Sequence, residues 1–223
     1  MRHAGPAPPR RAPLDRRRIL EAALRLIDEH GVGELSMRRL GAELGVQAMS
    51  LYRHLPNKRA VLEGVRDLIF DELARMRPAG FPSGRWDDDL MAMARDFRDT
   101  CRRHPHAMSL FATDVDRAYA SASHFYEPAL RSLVAAGFRE DDATDALRVV
   151  VRYVLSTEIL TQSVTTMRHP LTEEEIDDLA AERPLVGHLV RALAARPPDS
   201  LEEPGLALIV EGLRARLARP GTG

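Results

Sequence analysis

The chain has 223 residues, 44% of them hydrophobic and 29% charged, and this composition excludes both a disordered polymer and a membrane protein. A chain of this length buries a core sufficient to fold without a disulfide or a structural metal, and its single cysteine excludes an internal disulfide framework. Residues 1–18 lack the apolar segment of a signal peptide, and no apolar run has membrane-spanning length, so we expect a cytoplasmic protein with no membrane partner.

The formal net charge of -1 conceals two parts of opposite sign. Residues 1–60 hold 12 Lys and Arg against 6 Asp and Glu, a net charge of +6, whereas the remaining residues hold 20 against 27, a net charge of -7. A basic end on an acidic body is typical of a nucleic-acid-binding head, because Lys and Arg neutralise phosphates.

Hydrophobic periodicity predicts an all-α protein. Apolar residues recur at three- and four-residue intervals from Leu14 onward, and no segment shows the alternation of a half-buried strand. Prolines and glycines at 77–84 separate a short N-terminal unit from a longer body. We divide the chain into a disordered basic tail (1–13), a head (14–60), a connecting helix with its linker (61–80) and a helical body (81–223).

The head is predicted to contain three short helices. The first carries an inward stripe of Ile19, Ala22, Ala23, Leu26 and Ile27. It ends at Gly31, a residue suited to a left-handed C-terminal cap, and Ser36 can cap the second helix. Gly45 and Val46 then form a tight turn into a third segment, 47–55. This order is that of a helix-turn-helix, whose second helix enters the DNA major groove.

The third segment leaves one surface for DNA once its leucines face the core. The residues on that surface are Ala48, Met49, Ser50, Tyr52, Arg53 and His54. Residues 48–50 are expected to approach base edges, and Tyr52 and His54 to reach phosphates. The alternatives are that Tyr52 is a packing residue and that His54 is an ordinary surface histidine.

A fourth helix is predicted to begin at Lys58, the only lysine of the chain, with Asn57 as its cap. A cation is unfavourable at a helix N-terminus, but a DNA phosphate placed there would pair with Lys58 and accept from free backbone N–H groups. The alternative is a solvated lysine tolerated at small cost. Met37 and Arg38, at the start of the second helix, are similarly placed to touch the DNA backbone or a groove edge.

The segment from Ile19 to Lys58, which ends in LSMRRLGAELGVQAMSLYRHLPNK, resembles the head of tetracycline-repressor-type (TetR family) transcriptional regulators. The match covers roughly residues 15–65. The resemblance implies that Tyr52, His54 and Lys58 hold phosphates and that residues 48–50 select the operator sequence. It further implies an all-α fold in which the C-terminal domain binds a ligand and forms a dimer.

The body is predicted to consist of long helices. A stripe at helical spacing is formed by Trp86, Leu90, Met93 and Phe97. The three aspartates at 87–89 occupy the first turn of that helix, where acids complement the helix dipole. Pro105 and Pro128 each predict a helix break, and 140–167 and 204–219 predict two further helices. The last of these resembles the closing helix of TetR-family bodies, which implies a homodimer through 140–167 and 204–219.

Two rows of the 140–167 helix change from apolar to polar side chains toward its C-terminal end. The change fits the border of a ligand cavity and fits an ordinary, partly exposed helix equally well. The candidate ligand-binding residues are Trp86, Met93, Phe97, His104, Met108, Phe111, Phe125, Thr157, Glu158, Thr161 and Gln162. They show no magnesium-and-drug constellation, and no metal or cofactor is expected.

These observations favour a non-enzymatic repressor that binds a near-palindromic DNA operator as a homodimer and is released by a small-molecule effector. A regulatory dimer is physically reasonable because a lone helix-turn-helix reads too few bases. Two alternatives stay open. One is a DNA-binding protein without a ligand, and the other is an enzyme centred on Cys101, His104 and His106, for which the sequence has no nucleophile motif.

Overall fold

The computed structural model describes residues 13–76, 81–112, 115–167, 171–195 and 202–218. Within these ranges every regular element is a helix, as predicted, and no helix is long and apolar enough to cross a membrane. The head and connecting helix are α1 (Arg16–His30), α2 (Met37–Leu44), α3 (Ala48–Leu51) and α4 (Lys58–Arg75). The body contains α5 (Trp86–Arg103), α6 (Ser109–Ala112), α7 (Val115–Ser121), α8 (Ser123–Ala135), α9 (Glu140–Met167), α10 (Glu173–Glu182), α11 (Pro184–Ala195) and α12 (Glu202–Leu217). Residues 1–12 of the predicted tail and residues 77–80 of the linker lie outside the described residues.

Side-chain caps set the starts of the head helices where the sequence indicates them. The Ser36 hydroxyl accepts from the Arg39 N–H (3.2 Å) at the start of α2, and the Asn57 side-chain oxygen accepts from the Ala60 N–H (2.8 Å) at the start of α4. Gly31 ends α1 with φ 84° and ψ 161°. The positive φ agrees with the choice of glycine, but the ψ is not that of the expected left-handed helical cap.

One apolar core joins the head to the body. It extends from Ile19 of α1, which is fully buried, to Leu206 of α12. Helix α4 packs against α1 on the head side and against α5, α6, α7 and α8 on the body side. The short 3₁₀ segment Pro105–Ala107 that follows α5 also packs against α1. Helix α4 therefore packs against both units and connects them.

The body follows the predicted order with one correction. The 140–167 helix has the predicted bounds, α12 begins two residues before the predicted start, and the break at Pro105 is present. The break expected at Pro128 is absent, and α8 continues through it. A proline removes one backbone donor, whereas burial of Phe125, Ala129 and Leu133 along one face holds the helix together. Helices α10 and α11, which pack on each other, were not predicted.

The aspartates at the start of α5 tie this helix to its neighbours as well as complementing its dipole. Asp89 is buried and accepts from the Ser83 N–H (2.7 Å) and from the Ser132 hydroxyl of α8. Asp87 pairs with Arg214 of α12, and this guanidinium holds the pKa of the Asp87 carboxyl below its usual value. The N-terminal turn of α5 is therefore fixed between α8 and α12.

Candidate DNA-binding surface and ligand cavity

The turn between α2 and α3 depends on a close backbone contact. A Cβ atom on Gly41 would lie 2.9 Å from the carbonyl oxygen of Val46 and 3.2 Å from the backbone nitrogen of Ala48. Gly45 adopts the left-handed conformation (φ 66°, ψ 35°), and the Val46 N–H donates to the Gly41 carbonyl (2.9 Å). These two glycines therefore set the angle at which α3 leaves α2.

Helix α3 is shorter than the predicted segment 47–55. Its α-helical stretch ends at Leu51, and Tyr52–His54 form a turn in which the His54 and Leu55 N–H groups both donate to the Leu51 carbonyl (2.9 and 3.0 Å). Leu51 and Leu55 are fully buried, as the sequence predicts. The buried leucines anchor a short reading element whose other side is open to solvent.

The predicted DNA-facing residues share one surface, with one exception. Met49 is 71% exposed, and Arg38, Tyr52, Arg53 and His54 are also exposed. The two neighbours of Met49 that are predicted to approach base edges, residues 48 and 50, are half-buried. Met37 is the exception, and its predicted groove contact is corrected: its side chain is only 9% exposed because the first turn of α2 directs it into the core.

The charges of this surface are free to meet phosphates. No acidic residue occurs between positions 44 and 62. Arg38 and Arg53 have no ion pair among the described residues, whereas Arg39 pairs with Glu34 (2.8 Å). A cation whose charge is not neutralised within the protein is the kind that releases counterions when it meets a phosphate.

Lys58 has a partner within the head. Its Nζ donates to the carbonyl oxygen of Val32 (3.3 Å), in the 3₁₀ segment that follows α1. The ammonium group carries two more N–H donors, so this contact holds it beside the N-terminus of α4 without exhausting its capacity. The lysine is half-buried and lies where the sequence predicts a phosphate site.

An aromatic cavity of about 340 Å³ lies between α4 and the body helices α5 to α9. Its wall is formed by Phe70, Phe97, Phe111, Ala118, Tyr119, Tyr126, Val151, Arg152, Leu155, Ser156 and Ile159. The rings of Phe70 and Phe111 meet edge to face with centroids 5.1 Å apart, and those of Tyr119 and Tyr126 lie 5.4 Å apart. This size and lining are typical of a small-molecule site. Phe70 belongs to α4, so the helix that begins at Lys58 also forms part of the cavity wall.

Of the eleven predicted ligand-binding residues, Phe97 and Phe111 line this cavity. Met93, Met108 and Phe125 are buried in the core, Trp86 packs edge to face against Phe138, and Thr157 and Thr161 are half-buried away from the described wall. The side chain of Gln162 lies outside the described residues.

Glu158 is neutralised within the protein. It is 3% exposed, and both of its carboxylate oxygens accept from the Arg102 Nε (3.2 Å each). Its burial is therefore balanced by a charge from α5, and it does not contribute to the described wall of the cavity.

The sequence reasoning missed Tyr119, Tyr126 and Arg152. The two tyrosines come from α7 and α8 and meet only through tertiary packing. Arg152 left a signal, since it is the one charged residue in the otherwise apolar run 149–155 of α9.

The residues of the alternative enzymatic hypothesis join the head to the body. Cys101 is fully buried. His104 lies between Asp28 of α1 (2.9 Å) and Glu72 of α4 (3.4 Å), and His106 Nδ1 lies 2.8 Å from the Asp28 carbonyl oxygen. These histidines therefore hold α1 and α4 against the end of α5.

A solvent-exposed reading element on a helical body with an aromatic cavity defines a helix-turn-helix DNA-binding regulator. Two family descriptions match the chain: bacterial regulatory proteins of the tetR family over residues 19–65, and the tetracyclin repressor-like C-terminal domain over residues 78–217. The chain belongs to the TetR family. It is a DNA-binding transcriptional repressor and not an enzyme.

Three relatives illustrate the similarity. The tetracycline repressor protein class A from transposon 1721 of Escherichia coli is 33% identical over 212 residues, which cover 89% of each chain. The crystal structure of the Streptomyces coelicolor protein ActR in complex with actinorhodin is 26% identical, with a TM-score of 0.73, over 93% of this chain and 100% of that one. The structure of BioQ with its natural double-stranded DNA operator is 25% identical, with a TM-score of 0.62, over 91% of this chain and 99% of that one.

Proposed function

We propose that two copies of the chain form a dimer that binds a near-palindromic operator and leaves it when an effector enters the aromatic cavity. The observation that carries the DNA-binding part is the exposed surface of α3 beside Arg38 and Arg53, which have no ion pair among the described residues. In this proposal residues 48–50 contact base edges, and Tyr52, Arg53, His54 and Lys58 contact phosphates. BioQ has been crystallised with its operator, and its fold likeness supports the same mode of binding.

The dimer is supported by apolar side chains that point away from the protomer on α9 and α12. Leu160 of α9 is 63% exposed and Leu208 of α12 is 70% exposed, although the two helices pack on each other. On α12, Leu208, Gly212 and Ala215 form an outward row at helical spacing, opposite the buried Leu206. Large apolar residues exposed on adjacent helices are typical of an interface, and these are the helices that the sequence predicts to pair.

Helix α11 carries a second apolar row that was not predicted. Leu185, Leu189 and Leu193 recur every four residues and are exposed. They therefore form one face of α11 that is open to solvent in the protomer.

The effector part of the proposal rests on α4. Lys58 at its start and Phe70 in the cavity are twelve residues apart, a distance of about 18 Å along the helix. An effector that contacts Phe70 can shift α4 and so change the spacing of the two heads. Such a switch requires that the effector bind the two arrangements with unequal affinity. ActR has been crystallised with actinorhodin, and we extend effector binding in the body to this chain.

Selection of bound DNA from a random pool tests the DNA-binding part. We expect recovery of an inverted repeat whose half-sites lie about one helical turn apart, which is the spacing that a two-fold dimer presents. Recovery of a single half-site would contradict the dimer, and recovery of unrelated sequences would contradict base reading by α3. Release of the selected DNA by compounds that also raise the melting temperature then tests the effector part.

A further inference from the structure

The aromatic cavity (the inner cavity) adjoins a second cleft (the outer cleft) of about 590 Å³. Tyr119, Tyr126 and Arg152 line both spaces. The remaining wall of the outer cleft is more polar and includes Glu127, Thr144 and Arg148. Arg152 is exposed and lies where the two spaces adjoin, a junction we call the mouth.

The three side chains that line both spaces carry hydrogen-bond donors that have no acceptor within the described ranges. Among the described residues, the Tyr119 and Tyr126 hydroxyls have no hydrogen-bond partner, and the Arg152 guanidinium has neither a hydrogen bond nor an ion pair. Burial raises the pKa of both tyrosine hydroxyls, so they remain protonated. Ser156 is the other polar residue of the described inner wall, and its hydroxyl donates to the Arg152 carbonyl (2.7 Å).

The charges around the mouth leave Arg152 uncompensated. Glu127 of the outer cleft pairs with Arg131 (2.7 Å), and Arg148 pairs with Asp145 (3.4 Å). The described inner wall contains no Asp or Glu. Arg152 and Arg148 both act electrostatically on the Tyr119 hydroxyl, and their contribution to the potential at this hydroxyl is positive.

We propose that the effector is a planar aromatic carboxylic acid whose rings enter the inner cavity and whose carboxylate is bound at the mouth by Arg152. This inference rests on the proposed assignment of the cavity as the effector site. The rings of Phe70, Phe97 and Phe111 supply edge and face contacts to a fused-ring system. The tyrosine hydroxyls supply neutral donors, and Arg152 supplies a charge-assisted pair of N–H groups.

Other ligand classes fit this wall less well. A cation would face Arg152 with no carboxylate in the described inner wall to balance it. A purely apolar ligand would cover the two tyrosine hydroxyls and leave them without acceptors, which costs free energy. An aromatic acid provides rings that pack against the phenylalanines and carboxylate oxygens that accept from the tyrosine and Arg152 donors.

The test uses the full-length protein and two matched probes, anthraquinone-2-carboxylate and anthraquinone-2-carboxamide, with affinities measured by isothermal titration calorimetry. We expect the acid to bind about tenfold more tightly than the amide, because a charge-assisted hydrogen bond is roughly twice as strong as a neutral one. Arg152→Gln should remove the preference and Arg152→Lys should retain part of it. The control, Arg95→Gln, removes an exposed arginine that lines neither space and should leave the preference unchanged.

A variant that fills the inner cavity tests the assignment of this cavity as the effector site independently of the role of Arg152. Ala118→Phe places a ring in the inner cavity and should abolish binding of both probes, provided that its melting temperature shows a folded protein. Binding that survives this variant would overturn the cavity as the effector site. Equal affinity for acid and amide, or an acid preference that survives Arg152→Gln, would overturn only the role of Arg152. Failure of both probes to bind the unmodified protein would overturn the aromatic-acid class.

Discussion

Gly41→Ala tests whether the close approach of α2 and α3 sets the DNA-reading surface. The new Cβ would lie 2.9 Å from the Val46 carbonyl oxygen and 3.2 Å from the Ala48 nitrogen. Both obstacles are backbone atoms, which cannot rotate away as a side chain can. The added methyl group must therefore push α3 away from α2 by a few tenths of an ångström.

The expected loss of stability follows from two opposing terms. Overpacking at a tight contact costs about 1–3 kcal/mol, whereas replacing glycine by alanine inside a helix gains about 1 kcal/mol. The net cost is about 0–2 kcal/mol, which lowers the melting temperature of a protein of this size by up to about 8 °C. Operator binding suffers further because α3 is displaced. We expect a loss comparable to one wrong base pair per half-site, about 1–3 kcal/mol each.

The assay compares this variant with Gly33→Ala, measuring thermal unfolding by circular dichroism and binding to the selected operator by fluorescence anisotropy. Gly33 lies in the same head and has no positive φ, and a Cβ atom added to it would have nothing within 4 Å. Its replacement should leave stability within about 0.5 kcal/mol and operator affinity unchanged. If the two variants melt and bind alike, the contact at Gly41 does not position α3, and the reasoning is wrong.

Three further predictions concern charge and burial. Lys58→Ala should weaken binding about equally on all DNA sequences and should reduce the slope of log affinity against log salt by about two for a dimer, measured by anisotropy. Leu208→Glu should convert the dimer to a folded monomer in sedimentation velocity, because it places a charge in the proposed contact of α12. Arg102→Ala should lower the free energy of unfolding, measured in urea, by about 2–4 kcal/mol, because it leaves the buried Glu158 carboxylate without its cationic partner. Adding Glu158→Gln should restore most of this stability, because it removes the unpaired charge.

Two control variants and one rescue test these three predictions. Arg95→Ala removes an exposed charge from the body and should leave the salt slope unchanged. If Arg95→Ala and Lys58→Ala reduced the slope equally, Lys58 would have no specific contact with a phosphate. Val134→Glu places the same charge at an exposed apolar position on α8 and should leave the dimer intact. A rescue that fails for Glu158→Gln would show that Arg102 stabilises the fold through other contacts.

The head was predictable because its determinants are local. Ser36 and Asn57 cap helices through N–H groups three residues away, and the buried leucines of α3 follow from helical spacing. The positions of two side chains could not be predicted, because they depend on tertiary contacts. Met37 turns into the core, and the Lys58 ammonium reaches a carbonyl 26 residues earlier in the chain.

The ligand cavity was much less predictable because six helices, α4 to α9, combine to form it. The polar change along α9 suggested Glu158 as a ligand contact, but Arg102, 56 residues away in the chain, pairs with that carboxylate. Only packing could show that Tyr119 and Tyr126 converge on the same space as Phe97 and Phe111. Periodicity indicates which face of a helix is buried, but it does not show whether that face meets a neighbouring side chain or an opening.

Helix α4 connects the parts of the proposed switch. Its first turn lies at the proposed phosphate site, Glu72 near its end contacts His104, and Phe70 between them lines the cavity. An effector that displaces Phe70 therefore acts on the same rigid element that positions Lys58. To lower the fraction of protein in the DNA-binding arrangement from 99% to 1%, the effector must bind the released arrangement about 10⁴-fold more tightly than the DNA-binding one. The cavity can bind the effector with different affinity in the two arrangements, because Phe70 of α4 lines its wall and any shift of the helix alters the ring contacts that hold the effector.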